Sequence, residues 1–178
     1  MILKNTNAQI HLKSETDNDG EVTEMEVIED ARYEYKNGKY YIIYEETGFS
    51  EMRGCTTMIK VEPSGCVWVK RSGALETSMC YEAGKSHSSV YSFDFGSLTM
   101  ETHTKSVNMS LTPSCGELDM VYTLDMGAAR SENHLNIRVK DVIIKDLSLK
   151  KGFNSAKDFS LKEDLSSEEK ENSEGEKE

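Results

Sequence analysis

The sequence predicts an all-β protein: an antiparallel up-and-down β-barrel followed by a disordered acidic C-terminal tail. Three observations carry this. Apolar and polar residues alternate with period two through most of the chain, short turn signals separate the alternating runs, and no helical period appears before residue 150. Hairpins that follow one another remove their exposed edges by closing into a barrel. A sandwich stays open as the second architecture, because alternation does not show whether the first strand pairs with the last.

The first alternating run starts at Thr23. Met25, Val27, Ala31, Tyr33 and Tyr35 share one face with Glu29, and Glu24, Glu26, Asp30, Arg32 and Glu34 share the other with Ile28. Asn37-Gly38 follows, a dipeptide that tolerates positive φ at both centres of a type I′ turn, and KYYIIYEE returns as the partner strand. Thr57, Ile59 and Val61 form the next inward set, Pro63-Ser64-Gly65 turns the chain, and Val67 and Val69 then face away from Trp68 and Lys70. Ser72-Gly73 leads into Leu75, Thr77, Met79 and Tyr81, and Ala83-Gly84 leads into SHSSVYSF. After Leu98, Met100 and Thr102 the apolar set moves to Val107, Met109 and Leu111; that change of parity predicts a β-bulge near Lys105. Pro113 and Cys115-Gly116 mark a turn before the runs Leu118–Met126 and Leu135–Val139. About nine or ten strands result. The reading divides the chain into a barrel domain over 1–150 and a mostly disordered tail over 151–178.

The chain of 178 residues has a formal charge of −11. Residues Ser155 to Glu178 hold nine acidic and four basic side chains, too polar to offset the entropy of ordering them. Ser160 and Glu163 have capping-box spacing, but one such turn does not hold a helix unaided. The acidic body repels phosphate backbones and anionic bilayers, so neither nucleic acid nor membrane is an expected partner. The N-terminal MILKNTNAQIHLKS has no apolar core of a signal peptide, and no 18-residue apolar run occurs. A cytoplasmic location is expected, with Cys55, Cys66, Cys80 and Cys115 reduced. No two cysteines have C-x-x-C spacing and the four histidines lie on separate runs, so no metal is expected. No phosphate-binding or dinucleotide glycine pattern is present, and no cofactor is expected.

The stretches RYEYKNGKYYIIYEE, GCTTMIKVE, VKRSG and GKSHSSVYSFDFGSLTM resemble the YwiB-like family of small bacterial proteins. The resemblance covers roughly residues 1 to 146, with Arg71-x-Gly73, His87, Tyr91 and Gly96 in the family's order. It implies a calycin-like, lipocalin-shaped barrel, and supplies no activity. Phe93-Asp94-Phe95 departs from the Thr-Pro-Tyr-like entry expected before Gly96.

Parity selects the candidate ligand-binding residues. His87, Ser89, Tyr91 and Phe93 share one strand face, and Arg71 is in step with Val67 and Val69. If both faces turn inward, Arg71, His87 and Tyr91 enter one cavity. A guanidinium fork suits carboxylate or phosphate, and an imidazole changes charge near neutrality. The plainer reading makes Arg71 a strand-end side chain reaching water or a surface glutamate, with His87 and Tyr91 hydrogen-bonded structural residues. A catalytic site is not expected: Ser88 points to the opposite face from His87, and Ser89 has no obvious orienting carboxylate. Tyr40, Tyr41 and Tyr44 resemble an RNA-stacking platform, but the adjacent Glu45 and Glu46 oppose it. The functional expectation is a non-enzymatic barrel holding a small anionic or amphipathic ligand. The alternative is a filled barrel that meets a protein partner through its tail or the Trp68 strand.

Overall fold

Ten antiparallel strands make up the described part of the chain. The computed structural model describes residues 6–47, 53–93, 96–140 and 142–143. The strands are β1 Ala8–Asn18, β2 Glu21–Lys36, β3 Lys39–Glu45, β4 Thr56–Val61, β5 Val67–Ser72, β6 Thr77–Tyr81, β7 Ser86–Phe93, β8 Gly96–Met109, β9 Gly116–Asp125 and β10 Arg130–Lys140. No helix occurs among the described residues, and so none long and apolar enough to cross a membrane. The acidic tail with Ser160 and Glu163, and the corner residues Asp94 and Phe95, lie outside the described residues.

The strands form one sheet in the order β6-β5-β4-β3-β2-β1-β10-β9-β8-β7. First and last strands pair along their lengths, from Gln9 opposite Lys140 to Asp17 opposite Glu132. This single continuous sheet decides against the sandwich. Its two outer strands, β6 and β7, meet at a seam with few backbone bonds. Glu76 bridges Ser92, with Ser92 N donating to Glu76 O at 3.5 Å, while Gly84 and Lys85 in the connection between the two strands bond to Thr104 of β8. The Thr102 hydroxyl also lies within hydrogen-bond distance of Cys80 O, at 3.4 Å, and His87 O, at 3.2 Å. The result is a nearly closed up-and-down barrel.

Local chemistry explains most of the elements. Asn37 and Gly38 have φ of 53° and 76°, and the two-residue turn puts Lys36 opposite Lys39. Asp19 and Gly20, with φ of 53° and 93°, turn β1 into β2 in the same way. On β8, Thr104 pairs with Tyr122 and Ser106 with Val121, so Lys105 is the extra residue of a bulge. The inward set accordingly changes from Met100, Thr102 and Thr104 to Val107.

Strand β1 was not anticipated. Ala8, Ile10 and Leu12 are its buried residues, but polar Ser14 and Thr16 continue the inward face and dilute the signal. The packed core includes Ile10, Ile42, Ile59, Val61, Val67, Leu118, Met120, Ile137 and Val139. Burying each such side chain stabilises the barrel by roughly 1.5–3 kcal/mol before entropy is counted.

Candidate ligand-binding site

One half of the barrel is less tightly filled, and it contains a cavity of about 280 Å³. Its lining residues sit at the strand ends nearest the β1–β2, β3–β4, β5–β6, β7–β8 and β9–β10 connections. Most of the wall is apolar, with Leu12, Val27, Met79, Met100 and Leu124 among its residues. Glu15 and His134 also line it.

The polar part of the wall is a row across neighbouring strands. Tyr44 of β3 faces Thr57 of β4, Thr57 faces Arg71 of β5, and Arg71 faces Thr77 of β6. Alternation sends these side chains inward together with Val69, Met79 and Tyr81. Glu46, two residues beyond Tyr44 and in the same parity, is 7% exposed, and Arg71 is 19% exposed. Arg71 Nε lies 3.4 Å from Glu46 Oε1, and the Thr57 hydroxyl donates to the same oxygen at 2.6 Å. Arg71 makes its contact with Glu46 through Nε. The buried Thr77 hydroxyl has no hydrogen-bond partner among the described residues.

Burial is the largest influence on the Arg71 guanidinium and works against its charge. The oxygens of Tyr44, Glu46, Tyr81 and Tyr122 outweigh it and shift its pKa up. Burial raises the pKa of the Tyr44, Tyr81 and Tyr122 phenols, which therefore stay neutral and able to donate hydrogen bonds. The Tyr81 and Tyr122 rings are 4.7 Å apart at 60°. The site is thus a fixed cation with one carboxylate partner, set among neutral hydroxyls and opposite apolar walls.

Of the three residues selected from the sequence, Arg71 and Tyr91 line the cavity and His87 does not. The seam bridge between Glu76 and Ser92 puts Tyr91 beside Thr77. His87 is four residues back along β7, about 13 Å at the rise of a strand, near the β6–β7 turn. There its Nε2 is 3.8 Å from Glu82 Oε2, and the side chain is 31% exposed. His134 reaches only the rim of the cavity: its side chain is exposed on the outer face, with Nε2 2.7 Å from Asp119 Oδ2.

Sequence reasoning did not select Tyr44, Glu46, Thr77, Tyr81 or Tyr122 for the site. The inward parity of Thr77, Tyr81 and Tyr122 was readable, and a polar residue on an apolar face was the available signal. Tyr44 is buried in the barrel rather than displayed on a surface platform. Glu46 gave no such signal, because a carboxylate next to a turn normally faces water. Trp68 is on the outer face, 37% exposed, with Lys60 Nζ 5.4 Å from its ring centroid.

Fold and site together define a class: an antiparallel up-and-down barrel enclosing a small, mostly apolar cavity with a buried Arg–Glu pair in its wall. Residues 10–137 match the family described as a domain of unknown function, DUF1934, and the chain belongs to that family. It is 30% identical over 126 residues to the uncharacterized beta-barrel protein YwiB of Bacillus subtilis (strain 168), covering 70% of this chain and 86% of that protein. The crystal structure of the ywiB protein from Bacillus subtilis superimposes with a TM-score of 0.70 at 27% identity, over 78% of this chain and 93% of the other.

Proposed function

We propose that this barrel is a non-enzymatic binding protein for a small amphipathic ligand, with an apolar body and an anionic or hydrogen-bond-accepting head group. The observation that carries the reading is an unpartnered buried hydroxyl, that of Thr77, directly across the strands from Arg71 in an apolar-walled cavity. Buried polar groups almost always have partners, and a head group placed here would accept from the hydroxyl and meet the guanidinium. Tyr91 lines the same space, and the methionines Met25, Met79 and Met100 provide adaptable contact for an apolar body. His87 is not part of this proposed site. A volume of about 280 Å³ is at the lower edge of the roughly 300–1,000 Å³ typical of ligand pockets, which favours a small molecule over a long-chain lipid. A cytoplasmic setting fits the four cysteines, all free in the structure.

Calorimetric titration with octanoate and octan-1-ol tests the reading, because the two share an alkyl body and differ in head-group charge. The wild type should bind octanoate more tightly than the alcohol. The double variant Arg71→Met/Glu46→Gln, which removes both charges together, should weaken octanoate by about 1.5–3 kcal/mol, the worth of a hydrogen bond to a charged group. Absence of saturable heat for both probes, or equal octanoate affinity in the variant, refutes it.

A further inference from the structure

We infer that Cys66 and Cys80 form a reversible dithiol–disulfide pair on the outside of the barrel, an oxidation site separate from the cavity. Their sulfurs are 3.1 Å apart, and both side chains are buried, at 8% and 5% exposure. The arrangement follows from strand register. Cys80 of β6 is directly opposite Trp68 of β5, and Cys66 is two residues before Trp68. Both thiols therefore share the outer face, opposite in parity to Val67, Val69, Met79 and Tyr81, and meet diagonally across the two strands. Closing to a disulfide bond of ~2.05 Å needs a sulfur movement of roughly 1 Å.

The contact defines a balanced oxidation. Burial, together with the adjacent Cys66, pushes the Cys80 thiol up. With a peroxide as oxidant, the thiolate of one cysteine attacks one peroxide oxygen, the O–O bond breaks, and hydroxide leaves, taking up the proton that the thiol released. The resulting sulfenic acid is attacked by the other cysteine. The S–S bond forms, the S–O bond breaks, and the departing hydroxyl takes that cysteine's proton as water. Two thiols are oxidised by two electrons, and one peroxide becomes two waters. Cys55 is buried elsewhere and Cys115 is exposed, so neither is the near neighbour of this pair.

The consequence is a covalent tie between β6, which carries Thr77, and Cys66, the residue just before β5, the strand that carries Arg71. The site does not depend on a ligand entering the cavity, so the two ideas fail separately.

The test uses full-length Cys115→Ser protein, which removes the exposed thiol and with it intermolecular coupling. Protein is treated with hydrogen peroxide in slight excess, alkylated under denaturing conditions, and weighed intact. The expected product has lost two hydrogens and has two of its three remaining thiols blocked to alkylation; peptide mapping links Cys66 to Cys80, and dithiothreitol restores both. Trp68, the chain's one tryptophan and the direct cross-strand neighbour of Cys80, should lose emission on oxidation and regain it on reduction. The further changes Cys66→Ser and Cys66→Ala should each abolish the two-hydrogen loss, and a folded circular dichroism spectrum from either variant validates that arm. Three alkylatable thiols after treatment, added oxygen atoms without a link, or a link through Cys55 would each overturn the assignment.

Discussion

Removing Arg71 alone should harm this barrel more than removing Arg71 and Glu46 together. At 3.4 Å the attraction between unit charges is roughly 5 kcal/mol at an effective dielectric constant near 20. Desolvation of both groups offsets most of that, so the pair adds little net stability. An unpartnered buried carboxylate is another matter. Arg71→Met leaves Glu46, 7% exposed, without its cation and with only neutral hydroxyls beside it, among them that of Thr57. Breaking a buried pair in this way typically costs about 3–5 kcal/mol. The lower end, about 3 kcal/mol, is expected here, because the contact is made through Nε alone and the guanidinium keeps some contact with water. Adding Glu46→Gln removes the stranded charge while keeping an oxygen for Thr57, and should bring stability back to within about 1 kcal/mol of wild type. Urea unfolding followed by circular dichroism and by Trp68 fluorescence gives both differences, with coincident transitions as the check on two-state behaviour. A loss below about 0.5 kcal/mol for Arg71→Met would show that the pair is effectively solvated. A double variant no more stable than the single would show that Glu46 is not its electrostatic partner.

Two further outcomes are expected. Gly73 has φ of 124°, and a Cβ there would lie 2.4 Å from the Gly54 carbonyl oxygen; Gly73→Ala should destabilise by about 1–3 kcal/mol in the same urea assay, and a change under about 0.5 kcal/mol would refute the close approach. For Asp119, burial raises the pKa, but hydrogen bonds from His134 and Asn136 outweigh it and leave the carboxyl below its usual value. A depressed folded-state pKa contributes stability above the unfolded value near pH 4, and that contribution is lost as pH falls through the folded one. Asp119→Asn should therefore cost stability at neutral pH, with the gap to wild type closing in acid; a gap independent of pH would refute the linkage.

Alternation with period two was enough to read most strands and their inward faces, because each residue's side of a pleated strand is a local property. Asn37-Gly38 and the parity change around Lys105 were legible for the same reason, since a turn and a bulge are written in a few adjacent residues. The inward direction of Arg71 and Tyr91 also followed from parity. What parity does not contain is position along the barrel axis relative to strands distant in sequence. The register across the β6–β7 seam put Tyr91 at the Arg71 end and His87 at the other, although both occupy the same face of β7. Closure through β1 and β10, the burial of Glu46 against Arg71, and the meeting of Cys66 with Cys80 were likewise decided by tertiary structure. Each depends on which strands lie side by side and at what offset, and hydrogen-bond ladders set that offset only once the whole sheet has formed.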